Sequence, residues 1–330
     1  MRPVVLLTTL VLLTLASLLF SLATGSVAIS WQELLAVFSG ADSGNDLAGQ
    51  VIMELRWPRT VAAFITGALL ALAGGLMQVL LRNPLADPYV LGVSGGAATG
   101  ALLAMLAGLG SLWLHGAAFS GALLSMLLVF GLSHGSGSWT TSRLLLTGIV
   151  IAAGWGAIIG LLLAISPEQG LRGMLFWLMG DLSNTAFPSS GFPVLVIGLL
   201  AAMGIGRSLN ILAHGEQTAG ALGVNVRPLR YFIYLLASLL TATAVTLAGS
   251  IGFVGLIVPH MLRLLGVRDH RLLLPAAALL GGSLLIIADT LARTLLAPRQ
   301  LPVGILTALV GVPVFLLLLH HSRTLHGEAR

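Results

Sequence analysis

Long apolar runs follow one another along nearly the whole chain, separated by short polar, charged or Gly- and Pro-rich breaks. About 20 consecutive apolar residues have the length of a helix that crosses a bilayer. The pattern therefore predicts an all-α polytopic membrane protein in which residues 1–330 form a single transmembrane domain. The ten predicted spans are 3–24, 58–81, 90–109, 116–133, 143–165, 191–207, 229–249, 255–266, 272–296 and 303–320.

Two segments depart from a plain span. The first run, Val4 to Ala23, precedes a Thr-Gly-Ser break at 24–26, so a cleaved secretory signal and a retained helix are both conceivable. The run is longer than an ordinary signal core and many spans follow it, which favours a retained first helix. The stretch 249–255 is rich in Gly and predicts a bend buried among neighbouring helices.

The composition narrows the class of protein. Of the 330 residues, 57% are hydrophobic and 8% are charged, whereas about a quarter of the residues in a soluble domain are charged. The absence of Cys excludes disulfides, thiolate metal sites and a Cys nucleophile. The eight His residues form no H-E-x-x-H pair. We therefore expect no metal site, and no catalytic cluster of an enzyme is recognisable.

All 16 basic residues are Arg, because the sequence contains no Lys. A phosphate-binding loop of the P-loop type needs a Lys, so this chain cannot form a P-loop ATPase. Any binding of ATP and Mg²⁺ would belong to a separate subunit, and we expect this chain to hold no cofactor. The net charge is +5, but the arginines are scattered singly between apolar runs. A nucleic-acid-binding surface would gather them on one face, and we therefore expect no nucleic-acid partner.

The arginines also predict the topology, since loops that carry Arg stay in the cytoplasm. Placing the N-terminus inside puts eleven arginines on the inner side and five outside, with both termini in the cytoplasm and residues 25–56 forming the longest outer segment. The inner set is Arg2, Arg82, Arg143, Arg207, Arg227, Arg230, Arg263, Arg268, Arg271, Arg323 and Arg330, and the outer set is Arg56, Arg59, Arg172, Arg293 and Arg299.

A short internal echo indicates a repeat. Leu72-Ala73-Gly74 stands ten residues before Pro84, and Leu247-Ala248-Gly249 stands ten residues before Pro259. The first copy lies on a span that begins outside and the second on one that begins inside. Inverted repeats are common in transporters, although apolar segments also resemble one another by chance.

The inner segment 214–223 has the sequence His-Gly-Glu-Gln-Thr-Ala-Gly-Ala-Leu-Gly. A short helix of small residues with one carboxylate suits the docking of a peripheral protein, and it suits a plain connecting loop equally well. Farther along the chain, Asp289 and Arg293 stand four residues apart, the spacing of an ion pair on one helix. An unpaired intramembrane carboxylate would instead favour an ion-coupled secondary transporter.

Several stretches resemble one family of ATP-binding-cassette (ABC) importer permeases, the FecCD type, which carries ferric siderophores, haem and cobalamin. The pattern G-E-x-x-A-x-x-L-G at 215–223 resembles the coupling motif of such permeases. The other stretches are 56–59 (Arg-Trp-Pro-Arg), 82–88 (Arg-Asn-Pro-Leu-Ala-Asp-Pro), 91–94 (Leu-Gly-Val-Ser), 252–260 (Gly-Phe-Val-Gly-Leu-Ile-Val-Pro-His) and 301–304 (Leu-Pro-Val-Gly).

This resemblance implies a type II importer fold with an assembly around it. The assembly would be a homodimer in the inner membrane lipid, with two ATP-binding cassette subunits on its cytoplasmic side and a periplasmic substrate-binding protein above it. The ATPase-coupling residues would be Gly215, Glu216, Ala219, Leu222 and Gly223.

The resemblance also implies roles for the outer arginines. Arg56, Arg59 and Arg293 would pair with acidic residues of the binding protein; without the resemblance, arginines at the outer ends of spans can equally anchor at lipid headgroups. Arg172 would lie on a short helix at the periplasmic mouth of the translocation path, where it either meets anionic cargo or extends to the lipid interface.

At the inner mouth, Thr141 and Ser142 would belong to a cytoplasmic gate, although hydroxyl residues are also good helix caps. We expect the chain to translocate an iron chelate, haem or a ferric siderophore, by alternating access. A cobalamin permease of the same family is the alternative, and an ion-coupled secondary transporter is the rival from another class.

Overall fold

The computed structural model describes residues 3–25, 27, 29–39, 47–133, 140–183, 188 and 190–327, with side chains as far as 317. Within these ranges every regular element is helical, as the apolar pattern predicts. The polar part of the predicted outer loop at 40–46 lies outside the described residues.

The helices are α1 (Pro3–Ala23), α2 (Trp31–Ser39), α3 (Leu47–Gln50), α4 (Trp57–Leu80), α5 (Val93–Leu106), α6 (Ser111–Ser133), α7 (Thr141–Ile165), α8 (Glu168–Leu178), α9 (Gly191–Gly204), α10 (Gly206–Leu212), α11 (Glu216–Ala221), α12 (Val226–Ala248), α13 (Val254–Leu264), α14 (His270–Thr294) and α15 (Val303–Gly327). A π-helical turn, Val51–Arg56, leads into α4, and a 3₁₀ turn, Pro88–Leu91, leads into α5.

These helices account for the ten predicted spans. Six are long and apolar enough to cross a membrane: α1, the segment Leu47–Leu80 that contains α4, α6, α7, α12 and α14. The helices α5, α13 and Val303–Leu317 of α15 are apolar but shorter. The tenth segment, predicted as one run at 191–207, is the pair α9 and α10, which bends by 58°. The chain is a multi-pass membrane protein.

Ion pairs define the two ends of the helical bundle. At one end, called the Glu216 end, Glu216 contacts Arg82 just after α4 and Arg230 near the start of α12. At the other, called the Arg59 end, Arg59 at the start of α4 pairs with Asp289 near the end of α14. Helix α4 therefore runs from the Arg59 end to the Glu216 end, and α12 and α14 run the opposite way.

Helix α4 is buried along almost its whole length and packs against α12, α13 and α14. Glycines allow this close approach: a Cβ added at Gly74 would lie 1.8 Å from the carbonyl oxygen of Gly255 on α13, and one at Gly67 would lie 2.2 Å from that of Gly281 on α14. Small residues are the usual contact points of membrane helices, because association in lipid depends on close packing.

The inverted repeat is visible in the order of helix lengths. Helices α4, α5, α6 and α7 have 24, 14, 23 and 25 residues, and α12, α13, α14 and α15 have 23, 11, 25 and 25. The two series start at opposite ends of the bundle. The short sequence echo does not mark equivalent positions, because Gly74 lies inside α4 whereas Gly249, with φ 67°, ends α12.

Candidate functional site

The segment that resembles the coupling motif forms a separate short helix at the Glu216 end. Helix α11 covers Glu216–Ala221, and glycines flank it with positive φ angles of 116° at Gly215 and 82° at Gly223. Such angles are strained for residues that carry a Cβ. The two glycines therefore fix the turns that separate α11 from α10 and α12.

Glu216 connects this helix to the rest of the bundle. Its carboxylate lies 3.1 Å from Nη1 of Arg230 on α12 and 3.7 Å from Nη2 of Arg82, just after α4. The side chain of Arg230 is 9% exposed and that of Glu216 is 34% exposed. One carboxylate thus ties the surface helix α11 to the ends of two long helices.

The remaining residues of α11 divide between an inner and an outer face. Ala219 is fully buried, whereas Leu222 is 65% exposed. A Cβ added at Gly220 would meet no atom within 4 Å, so the packing of the chain itself does not require a glycine there. Gly220 is thus an additional candidate for contact with a partner; the sequence prediction did not select it, although it is a third Gly in 214–223. The outer face of α11 therefore combines small residues with the exposed polar side chains of Gln217 and Thr218, and Leu222, just after the helix, is exposed beside them.

A second candidate region is a cavity of 660 Å³ at the Arg59 end. All five predicted outer arginines contribute to its wall, together with one acidic residue, Asp181. The lining residues are Gly25, Val27, Val51, Leu55, Arg56, Arg59, Arg172, Phe176, Asp181, Ser183, Arg293, Pro298, Arg299 and Gln300.

The three arginines predicted to dock a binding protein are held by the chain itself. Arg56, Arg59 and Arg293 are 4%, 9% and 8% exposed. Arg56 donates to the carbonyl oxygen of Leu22 at 2.6 Å and also to that of Val27. Their guanidinium groups line the cavity instead of standing on an exposed surface. Docking through these three residues stays a prediction.

The predicted ion pair between Asp289 and Arg293 is wrong. Asp289, 1% exposed, accepts from Nε of Arg59 at 2.8 Å and from Nη2 at 2.8 Å. Arg293 donates from Nη2 to Oγ of Ser21 on α1 at 2.8 Å. The two residues share a helix, but Asp289 faces α4 and Arg293 faces α1. Arg59 and Asp289 lie 230 positions apart in the sequence. Their pairing depends on helix packing, which residue spacing alone does not predict.

Arg172 lies on α8, the short helix predicted after the fifth span, and its side chain is exposed. Its guanidinium carbon lies 5.4 Å from the ring centroid of Phe176, and both residues line the cavity. An arginine over an aromatic ring can still donate its in-plane N–H groups to an anion. Arg299 is likewise exposed in the cavity wall.

The hydroxyl residues before α7 have different surroundings. Thr140 caps the helix by accepting from the backbone N–H of Arg143 at 3.3 Å. The Thr141 hydroxyl is buried and finds no hydrogen-bond partner in the described part of the chain, and Ser142 is exposed. Residues 134–139, which precede them, lie outside the described part of the chain. The gate at Thr141 and Ser142 stays a prediction.

No group of three or more metal-binding side chains occurs among the residues that the structure describes. His260 on α13 is 7% exposed, and its ring centroid lies 6.5 Å from that of Phe315 on α15.

Comparison with known proteins agrees with these features. Residues 12–321 match the FecCD transport family. The hemin transport system permease HmuU of Yersinia pestis is 42% identical over 98% of this chain and 97% of its own length. The vitamin B12 import system permease BtuC of Klebsiella pneumoniae is 39% identical over 95% of this chain and 93% of its own length. A solved structure described as a metal-chelate type ABC transporter in an inward-facing conformation aligns with a TM-score of 0.86 and 33% identity, covering 97% of this chain and 100% of its own.

Proposed function

The chain belongs to the FecCD transport family, and from that membership we propose that it translocates an iron chelate, haem or a ferric siderophore, from the periplasm to the cytoplasm. As an ABC importer permease it is not an enzyme itself, because ATP is hydrolysed by separate ATPase subunits. The proposal concerns the cargo, the partners beyond the ATPase and the residues that couple them.

The observation that carries the proposal is the attachment of α11 by Glu216. A force on the outer face of α11 would be transmitted by the Glu216 carboxylate to Arg230 on α12 and to Arg82 just after α4. Because α4 packs against α12, α13 and α14, a displacement of α11 is passed to helices that extend to the Arg59 end. Closure of two ATPase subunits against the coupling segments would in this way tilt the permease halves and alternate the access to the path.

The cargo proposal rests on the charge of the outer cavity. Five arginines and one acidic residue, Asp181, line its 660 Å³, and Arg172 and Arg299 are exposed there. Carboxylates and phosphates bind guanidinium groups through paired hydrogen bonds, so an anionic chelate suits this wall. The named relatives carry hemin and vitamin B12, and vitamin B12 is the alternative cargo.

The proposed assembly is a homodimer in the bacterial inner membrane, with both termini and the Glu216 end in the cytoplasm. A periplasmic binding protein would dock at the Arg59 end, steered by the positive charge of Arg56, Arg59 and Arg293 and of the exposed arginines around the cavity. The bilayer contacts are supported by the apolar surface of α7, where Leu146, Val150 and Leu161 are 64%, 69% and 61% exposed.

An unpaired Asp289 would have favoured an ion-coupled secondary transporter, but Asp289 forms an ion pair with Arg59. Intramembrane carboxylates that relay ions need access to water or to the ion. Asp289 is 1% exposed, and both of its carboxylate oxygens accept hydrogen bonds from Arg59. The buried pair instead joins α4 to α14.

The coupling role is tested by Glu216→Gln in the complex with the ATPase and the binding protein, reconstituted in lipid. We expect cargo uptake to fall at least about tenfold while ATP hydrolysis continues, because a neutral amide binds Arg230 and Arg82 less strongly than a carboxylate. Glu168→Gln, at the start of α8, is the matched control and should transport like the wild type. Normal uptake by Glu216→Gln would remove the basis of the coupling proposal.

A further inference from the structure

A small cavity of 200 Å³ lies at the Glu216 end, and no role described so far uses it. Its wall is formed by α4 and the turn after it, by α13 and by the start of α14. Three lining residues are basic or can become so, and none is acidic. The lining residues are Gln78, Val79, Arg82, Asn83, Pro84, Ala213, Arg263 and His270.

The charges around this cavity do not cancel. Arg263 donates from Nη1 to the amide oxygen of Gln78, a neutral partner. Glu216 lies 3.7 Å from Arg82 but only 3.1 Å from Arg230, which shares it. Asp269 accepts from the side chain of Asn210 at 2.7 Å and from the backbone N–H of Arg271 at 2.9 Å. Glu216 thus divides its charge between Arg82 and Arg230, and Asp269 is engaged by Asn210 and Arg271, so the cavity wall keeps an excess of positive charge.

His270 supplies an independent observation. The side chain oxygen of Asn210 accepts from the backbone N–H of His270 at 2.8 Å and lies 2.7 Å from Nδ1 of the same residue. The amide orientation is set by these contacts, so Nδ1 carries a proton. Nε2 is buried and has no hydrogen-bond partner among the residues that the structure describes, although the residue is only 4% exposed. Buried polar atoms of this kind are rare and call for a partner.

We propose that this cavity is a binding site for a phosphate-type oxyanion, supplied either as free phosphate or as the phosphomonoester head group of a lipid. The anionic oxygens accept hydrogen bonds from Arg82 and Arg263. A protonated phosphate oxygen donates to Nε2 of a neutral His270. If the proton moves to the ring, Nε2–H donates to the same oxygen, so both arrangements satisfy the site with one proton.

This proton distinguishes phosphate from other anions. Phosphate and phosphomonoesters retain an acidic O–H near neutral pH, whereas sulfate has none. Sulfate can accept from the arginines but cannot donate to a neutral Nε2. The site should therefore prefer phosphate over sulfate, a preference that charge attraction alone does not produce because attraction is governed by net charge.

The test is the unfolding temperature of the full chain in phosphatidylcholine nanodiscs, measured during titration with inorganic phosphate at constant ionic strength, with chloride as the balancing anion. A ligand that binds only the folded state raises this temperature in a saturable way. We expect saturable stabilisation by phosphate and a weaker effect of sulfate. No saturable effect beyond that of chloride, or an equal effect of sulfate, would overturn the proposal.

Two variants test whether the stabilisation by phosphate arises from binding at this cavity. His270→Asn keeps a donor for Asn210 in place of Nδ1 but removes Nε2, and Arg82→Asn removes one guanidinium at a position with φ 47°, which Asn tolerates. Each should weaken phosphate binding about tenfold or more, while Arg268→Gln, an exposed control at the same end, should bind like the wild type. Unchanged affinity in both cavity variants, with unfolding in chloride alone confirming that they fold, would contradict the site.

Nanodiscs with and without phosphatidic acid distinguish a lipid head group from free phosphate as the source of the anion. If the site holds a phosphatidate head group, nanodiscs that contain phosphatidic acid should raise the unfolding temperature and abolish the response to free phosphate. If it holds free phosphate, the response should be equal in both kinds of disc. An adventitious, non-saturable effect in both would count against the proposal.

Discussion

Specific contacts between polar side chains join parts of this structure that the apolar pattern does not bring together. Asp289 and Arg59 pair inside the bundle, Glu216 joins α11 to two long helices, and His270 is oriented by Asn210. Each of these contacts joins residues that lie far apart in sequence or on separate helices. They are the positions at which substitutions should have large and specific effects.

The pair of Arg59 and Asp289 makes a prediction about stability. Asp289→Asn leaves a buried guanidinium without its counter-charge, and breaking a buried pair typically costs about 3–5 kcal/mol. The double variant Arg59→Met with Asp289→Leu removes both charges and should recover much of that loss. The free energy of unfolding of the single and double variants is measured in detergent micelles. Losses that simply add in the double variant would show that the two residues are not coupled.

Asp87 makes a prediction about pH. It precedes the 3₁₀ turn outside the spans and accepts from the backbone N–H of Tyr89 at 2.7 Å. Burial raises the pKa of Asp87 to about 6 from 3.8, against the opposing hydrogen bond. Stability from the protonated carboxyl is therefore complete below pH 3.8 and is lost as the pH rises through about 6, by up to about 3 kcal/mol.

The variant Asp87→Asn keeps an acceptor for Tyr89 and removes the charge, so its unfolding temperature should lack this decline and exceed that of the wild type at neutral pH. Asp269 is a control of opposite sign. The hydrogen bond from Asn210 lowers the pKa of Asp269, so its contribution is present above the usual carboxyl pKa and is lost as the pH falls. Parallel pH profiles of the wild type and Asp87→Asn would contradict the assignment.

At the scale of elements, the sequence predicts the helices well and their contacts poorly. Ten apolar runs correspond to ten helical segments, and α4 begins at Trp57, with Pro58 in its first turn as the residue type predicts. The 58° bend between α9 and α10 falls at Ile205, between Gly204 and Gly206, and was missed because the run 191–206 contains no charged residue before Arg207. Which helix faces which is decided by packing, so the partner of Asp289 was assigned to the wrong residue.

Helix α11 shows the same division between sequence and structure. The resemblance to a coupling motif selects Gly215, Glu216, Ala219, Leu222 and Gly223. It does not reveal that Glu216 is anchored by two arginines, or that Gly220 faces open space. These facts depend on the ends of α4 and α12 meeting at α11.

Gly220 makes a prediction about assembly that rests on the proposed coupling role. Gly220→Leu should leave the permease as stable as the wild type, since an added Cβ meets no atom within 4 Å and Leu favours helix more than Gly does. It should weaken association with the ATPase subunit at least about tenfold by preventing close approach. Gly173→Leu on α8 also faces open space and serves as the control. Wild-type affinity of the Gly220 variant in a pull-down titration would contradict the assignment.

At the scale of the whole molecule, the bundle connects two functional ends through α4. Residues at the Glu216 end hold α11, the proposed coupling helix, and arginines at the Arg59 end surround a cavity of 660 Å³. The two halves of the chain repeat the same order of helix lengths in opposite directions, which is typical of transporters that alternate between two open states. Family membership and this geometry lead to the same account of ATP-driven import.

The most direct test is uptake into proteoliposomes that contain this chain, its cognate ATPase and its binding protein, with haem, a ferric siderophore and cobalamin offered in parallel. The account predicts that haem or the ferric siderophore accumulates, that accumulation needs both ATP and the binding protein, and that collapsing ion gradients with ionophores leaves it unchanged. Uptake that proceeds without ATP and follows an ion gradient would contradict the account.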